Sequence, residues 1–101
     1  MNLQILDKYT PTYKLEEFKK SDYNMTKTAM QSASDIGFNE KSIYEVIQSM
    51  KDEHFYKSMT SKWNNKIWQD VYHVPYGELI LYIKFTKGIL TEFTLLSFKE
   101  K

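Results

Sequence analysis

Apolar residues in the first half of the chain recur every three or four positions, which is the spacing of a helix with one buried face. The pattern covers residues 13–20, about 26–36 and about 40–50. Thr26 is a suitable N-cap for the second of these segments, and Gly37 is a suitable stop after it. We therefore expect three short amphipathic helices before any strand.

From residue 55 onward the pattern changes to short runs of aromatic and β-branched residues that alternate with polar ones. Four runs are typical of strands, at 55–60, 67–72, 81–86 and 97–101. Turn-forming residues separate them, at 64–65, 75–77 and 87–88. Residues 1–12 lack a clear period and are expected to form an arm or an edge strand. The chain is thus predicted to be one α+β domain, residues 1–101, with three N-terminal helices packed on one face of a mostly antiparallel sheet.

Alternation along the third predicted strand assigns its side chains to the two faces of the sheet. Four apolar residues are expected to face the helices and Tyr82 to face away. The four are Leu79, Leu81, Ile83 and Phe85. In the last strand Leu96 and Phe98 are expected to be buried, which leaves Leu95, Ser97 and Lys99 on the opposite face. Lys99 is then able to meet Tyr82.

In the first two strands either alternating set can be buried, because both contain large apolar side chains. We adopt, as a hypothesis, the arrangement in which Tyr56, Trp68 and Tyr72 pack under the helices. Lys57 and Gln69 then share one open face with the tyrosine and the lysine of the later strands.

The charge balance gives only weak support for a nucleic-acid partner, because the formal net charge is +1 at pH 7. All 14 basic residues are lysines, so a phosphate site has to be built from point charges, without the bidentate fork of arginine. The absence of cysteine excludes disulfides and thiolate metal sites. The chain shows neither a signal-peptide pattern nor an apolar run that would span a bilayer. We therefore expect a soluble, cytoplasmic protein.

Taken one at a time, polar and aromatic strand residues are most often solvated or packing side chains. As a set, four residues of the proposed open face have the groups that RNA cleavage without a metal or another cofactor requires: Lys57, Gln69, Tyr82 and Lys99. RNA carries its own nucleophile, the 2′-hydroxyl, so an enzyme needs to position it, move protons and stabilise negative charge. The two lysines can stabilise the charge, and one can act as a base if its pKa is lowered by the other. Tyr82 is suited to donating a proton, and Gln69 can orient groups through hydrogen bonds.

The strand-like runs contain four motifs that resemble one known family. They are FYKSM at 55–59, IWQDVY at 67–72, LYIKFT at 81–86 and SFKEK at 97–101. In this order and spacing they resemble the MqsR family of type II toxin–antitoxin toxins, small endoribonucleases that cleave messenger RNA. The resemblance implies a RelE-like fold, cleavage at short GC-containing sequences, and Lys57, Gln69, Tyr82 and Lys99 as the catalytic residues.

The resemblance also implies a cognate antitoxin as partner. That antitoxin is expected to carry a DNA-binding part and any zinc of the complex, because this chain has no cysteine ligands. The chain departs from the family in having no arginine. The alternative function is therefore a catalytically inactive RNA- or protein-binding module on the same scaffold, and a purely structural interaction domain is a third possibility.

Four other residues allow more than one interpretation. His54 and His73 lack a metal-ligand spacing, so we predict surface or rim histidines and no metal site. Trp63 is expected either to stack on a nucleic-acid base or to cover the core. Trp68 is expected to serve in packing.

Overall fold

The computed structural model describes residues 7–88 and 92–101. Three α-helices are present in this part of the chain, α1 (Leu15–Lys20), α2 (Lys27–Asp35) and α3 (Glu40–Ser49). A 3-10 helix follows at Asp52–His54. The strands are β1 (Asn24–Met25), β2 (Phe55–Thr60), β3 (Trp68–Tyr76), β4 (Leu79–Lys87) and β5 (Phe93–Glu100).

The five strands form one sheet in the order β1-β5-β4-β3-β2. Strands β2 to β5 are the predicted antiparallel meander, and the α+β class is confirmed. The sheet is mixed, however, because β1 pairs in parallel with β5. β1 also separates α1 from α2, so the helices do not form the uninterrupted N-terminal block that was predicted. A strand of two residues is too short to show a period of two, which is why the sequence pattern misses it.

The ends of α2 and α3 are set by local hydrogen bonds. The Thr26 side chain accepts from the amide of Ala29, as expected for an N-cap. Gly37 follows α2 with φ of +88°, a value that favours glycine. The Phe38 amide then donates to the carbonyl of Ala33, which completes a Schellman motif. α3 begins with a reciprocal pair of hydrogen bonds between Asn39 and Ser42.

The helices cover one face of the sheet, which we call the core face. Phe18 of α1 stacks on Phe85 of β4 with ring centroids 3.9 Å apart. The predicted inward residues of β4 join this core, with Leu81, Ile83 and Phe85 fully buried and Leu79 packed at its margin. On the opposite face, which is called the open face, no helix of residues 7–88 or 92–101 is packed. Among the described residues, no helix has the length and apolar character needed to cross a bilayer.

The predicted faces of β5 are correct for three residues and wrong for two. Phe98 is buried in the core as expected, with Ser97 and Lys99 outside it. Leu95, however, is fully buried, whereas Leu96 is only half-buried. The reason is a bulge: Lys84 pairs with Ser97 but Phe85 pairs with Leu95, so Leu96 is an extra residue without a partner in β4.

A second bulge, in β2, corrects the hypothesis for Tyr56. Phe55 pairs with Tyr72 on the core face, and their rings lie 5.5 Å apart in an edge-to-face contact. Tyr56 is the extra residue between Phe55 and Lys57, so it does not pack under the helices. Tyr72 does pack there, as predicted.

Asp70 ties the segment before α1 to the sheet. It is fully buried, and its carboxylate accepts hydrogen bonds from the amides of Thr12 and Tyr13 and from the hydroxyl of Ser58. The Ser58 amide donates to the carbonyl of Lys8, so residues 7–12 run as an arm beside β2. Residues 1–6 of the predicted arm lie outside the described residues.

We predict that Asp70→Asn lowers the free energy of unfolding by about 2 to 4 kcal/mol, because an amide cannot accept all three hydrogen bonds and leaves buried donors unpaired. Urea denaturation measures the change, with Asp22→Asn at an exposed position as control. Equal midpoints for the two variants would refute the anchoring role of Asp70.

Candidate active site

The strand register arranges the side chains of the open face, most of them polar, in rows that run across the sheet, and two neighbouring rows carry the candidate site. In the first row His73 pairs with Tyr82, and Tyr82 pairs with Lys99. In the second row Lys57 pairs with Val71, Val71 with Lys84, and Lys84 with Ser97. Adjacent strands are about 4.8 Å apart, so both rows fit within the footprint of a few nucleotides.

The structure places all four predicted site residues on the open face. Lys99 Nζ lies 5.2 Å from the centroid of the Tyr82 ring, so the expected meeting of these side chains is confirmed. Lys57 reaches the same face from β2, and its Nζ lies 5.4 Å from the centroid of the Tyr56 ring. Gln69 pairs with Met59 in a third row, which lies beyond the row of Lys57 and Lys84 as seen from Tyr82. Gln69 is therefore the most peripheral member of the set.

Three more side chains complete this surface, and we call them the added residues: Tyr56, His73 and Lys84. The rings of Tyr56 and His73 stack with centroids 4.1 Å apart and an interplanar angle of 20°. The His73 ring in turn lies 5.9 Å from that of Tyr82. Three rings from β2, β3 and β4 thus form a continuous aromatic column across the sheet.

The sequence contained a signal for two of the added residues. His73 follows Gln69 by four positions in one strand, and Lys84 follows Tyr82 by two, so alternation places each pair on one face. Tyr56 had no such signal, because it reaches the open face only through the bulge in β2.

Burial and neighbouring titratable groups shift the pKa values of three side chains on this face, Lys84, His73 and Tyr82. Burial, followed by repulsion from Lys99 and Lys57, lowers the pKa of Lys84. Burial, followed by repulsion from Lys101 and Lys57, lowers the pKa of His73. Burial, followed by the proximity of Tyr56, raises the pKa of Tyr82, so its phenol remains protonated at neutral pH. The surface therefore offers a neutral imidazole and a protonated phenol among lysine cations.

The remaining histidine and the tryptophans have other environments. His54 accepts a hydrogen bond from the Lys51 amide through Nδ1 and supports the 3-10 helix. Trp63 is 89% exposed, so the core-covering interpretation is wrong, and base stacking stays a prediction. Trp68 is half-buried in β3. Within residues 7–88 and 92–101, no group of three or more metal-ligating side chains is close enough to hold an ion.

The sequence of the chain is similar to those of known proteins. Residues 10–100 match the family described as motility quorum-sensing regulator, toxin of MqsA. A curated relative is the mRNA interferase toxin MqsR of Escherichia coli (strain K12). The two chains are 32% identical over 100 residues, which is 95% of this chain and 100% of the relative.

We predict that His73 titrates below its ordinary pKa of about 6.5. NMR of the imidazole C–H signals measures this directly, because the chain has 2 histidines and a His54→Asn variant assigns the signals. Lys101→Gln should raise the pKa of His73, Lys57→Gln should raise it less, and Lys27→Gln on α2 should leave it unchanged. An unshifted His73 would contradict the assigned field.

Proposed function

Because the chain belongs to the MqsR family of toxins, we propose that it is an mRNA interferase, the toxin of a type II toxin–antitoxin system. In this proposal it cleaves messenger RNA in a sequence-specific, metal-independent reaction and thereby arrests translation and growth. The observation that carries the proposal is the convergence of Lys57, Tyr82 and Lys99, with Gln69 beside them, on one helix-free sheet face.

The first requirement that this face meets is the stabilisation of negative charge in the transition state. Attack of the 2′-hydroxyl on the adjacent phosphorus produces a phosphorane with charge on its equatorial oxygens. Lys57 and Lys99 approach the centre from β2 and β5, and Lys84 lies between them on β4. Three ammonium groups on different strands surround a phosphate from several directions, which compensates for the absence of arginine forks.

Tyr82 is the proposed acid. Burial keeps its phenol protonated, and its position in the middle of the first row is central among the cations. The new bond forms between the 2′-oxygen and phosphorus, the bond from phosphorus to the 5′-oxygen breaks, and the phenol proton passes to the departing 5′-oxygen. The products are a 2′,3′-cyclic phosphate and a 5′-hydroxyl end. The resulting phenolate is stabilised by Lys99 Nζ, 5.2 Å from the ring centroid.

Gln69 is proposed to orient the RNA. An amide has two donors and an acceptor but does not titrate near neutral pH, so it positions groups without exchanging protons. Its place two rows away from Tyr82, beyond the row of Lys57 and Lys84, suits contact with a base or sugar near the scissile phosphate.

The proposed partner is a cognate antitoxin, in keeping with the family description, which names the toxin of MqsA. We infer that this antitoxin carries the DNA-binding part and any zinc of the complex. The arrangement of helices on one face and an open sheet on the other is compatible with a RelE-like fold, and the site of action is the cytoplasm, where messenger RNA is translated.

We predict that the purified protein cuts a defined messenger in the presence of EDTA and that Lys57→Ala and Tyr82→Phe lower the single-turnover rate by about 10²-fold or more. Primer extension maps the cuts, and Lys41→Ala, on an exposed site of α3, is the matched control. Expression of the same two variants should no longer arrest growth.

Equal activity of folded Lys57→Ala and wild type would refute the assignment of the site. RNA binding without new 5′-hydroxyl ends for any variant would instead identify a catalytically inactive binding module.

We further predict that one 2′-deoxy nucleotide on the 5′ side of the mapped bond abolishes cleavage at that bond, because it removes the nucleophile. Gel analysis of two synthetic RNAs that differ only at this sugar measures the effect. A deoxy substitution at the next bond serves as control, and unchanged cutting would exclude the 2′-hydroxyl mechanism.

A further inference from the structure

His73 lies in the candidate active site but is not one of the four predicted catalytic residues. It lies on β3 between two tyrosine rings, stacked on Tyr56 at 4.1 Å and tilted towards Tyr82 at 5.9 Å. No hydrogen bond to its ring nitrogens is present within the described part of the chain, in contrast to His54, whose Nδ1 accepts from the Lys51 amide. An oriented imidazole with unengaged nitrogens is thus presented beside the proposed acid.

We propose that His73 is the general base of this reaction and takes the proton of the attacking 2′-hydroxyl. This inference rests on the proposed function, and it gives His73 the base role that the sequence analysis allowed for one of the two lysines. A protonated lysine is a poor base at neutral pH, a glutamine does not titrate, and Tyr82 is needed as a phenol.

The geometry places base and acid as a pair. His73 and Tyr82 are direct partners in the antiparallel register, so they project from neighbouring strands to the same side. Their ring centroids are 5.9 Å apart, so both side chains are within reach of one bound phosphate. In-line displacement puts the attacking and departing oxygens on opposite sides of phosphorus, and these two side chains can serve opposite sides. The stacked Tyr56 restricts rotation of the imidazole.

The groups that surround His73 keep it ready to accept a proton. They comprise Tyr56 and Lys57 on β2, Tyr82 and Lys84 on β4, and Lys99 on β5 with Lys101 after it. These neighbours carry positive charge or none, and burial together with Lys101 and Lys57 lowers the pKa of the ring. The imidazole is therefore neutral at physiological pH. A bound phosphate offsets the same cations and favours the imidazolium as the reaction proceeds.

The proton balance of the step is complete without another reactant. An imidazole nitrogen gains the 2′-hydroxyl proton while the bond between the 2′-oxygen and phosphorus forms. Tyr82 loses a proton to the 5′-oxygen as that oxygen leaves. Transfer of one proton from imidazolium to phenolate, directly or through water, returns both residues to their starting states.

The test is the pH dependence of kcat/KM, which reports groups of the free enzyme. The substrate is a short RNA that contains one mapped cleavage site, in EDTA, from about pH 5 to about pH 8. Wild type should show an acid limb governed by one group with a pKa below the ordinary histidine value. His73→Phe, which keeps a ring for stacking but cannot titrate, should lose this limb and fall by about 10²-fold or more at neutral pH.

Three further measurements separate a catalytic role of His73 from a structural one. Added imidazole should restore cleavage by His73→Ala in proportion to the concentration of its neutral form. Lys101→Gln, at an exposed residue outside the proposed machinery, should move the wild-type acid limb to higher pH because it removes a cation near His73. A fluorescent 2′-O-methyl RNA, which cannot be cleaved, should bind His73→Phe and wild type with the same affinity.

A wild-type acid limb that persists in His73→Phe, or does not move in Lys101→Gln, would overturn the assignment while leaving the proposed function intact. Loss of cleavage in His73→Ala without rescue by imidazole would do the same and would assign His73 a structural role. Failure of the proposed function has a different signature, the absence of new 5′-hydroxyl ends with wild type at every pH. His54→Asn should match wild type throughout.

Discussion

The burial of alternate residues of β4 determines both the core and the open face of the sheet. Leu81, Ile83 and Phe85 are fully buried under the helices, and a shift by one residue would expose all three. The same alternation fixes Tyr82 and Lys84 on the open face. Because β4 lies between β3 and β5, its register also determines which residues meet the tyrosine from either side. Core packing and the composition of the site therefore both depend on the register of β4.

Two β-bulges interrupt the regular alternation of side chains near the site. The one in β5 leaves Leu96 unpaired and lets Leu95 and Phe98, three residues apart, both enter the core. The one in β2 turns Tyr56 to the same side as Lys57, which supplies the ring that stacks on His73. Bulges commonly re-aim side chains next to functional sites. Without the bulge in β2, the aromatic column would lose Tyr56, its first member.

Strong periodic patterns made much of this architecture predictable. The three helices, the cap at Thr26 and the core face of β4 follow from local sequence. The failures have physical causes: β1 is too short to show a period, and an extra residue in a bulge reverses the alternation beyond it. The site residues were chosen chiefly through resemblance to a family, since a strand lysine by itself is most often a solvated side chain. A role for His73 could be inferred only from the strand register, because the pairing with Tyr82 shows which side chain lies beside it.

The electrostatic design of the open face is consistent with RNA chemistry on a nearly neutral protein. A net charge of +1 gives little long-range steering, yet the lysines concentrated around Tyr82 produce a strong local field. An amide NMR titration of the Tyr82→Phe variant with 2′-O-methyl RNA tests most directly whether the open face is the RNA site. We expect shifts concentrated at Lys57, Lys84 and Lys99 and their paired neighbours. Shifts confined to α2 and α3, with the sheet amides unmoved, would contradict it.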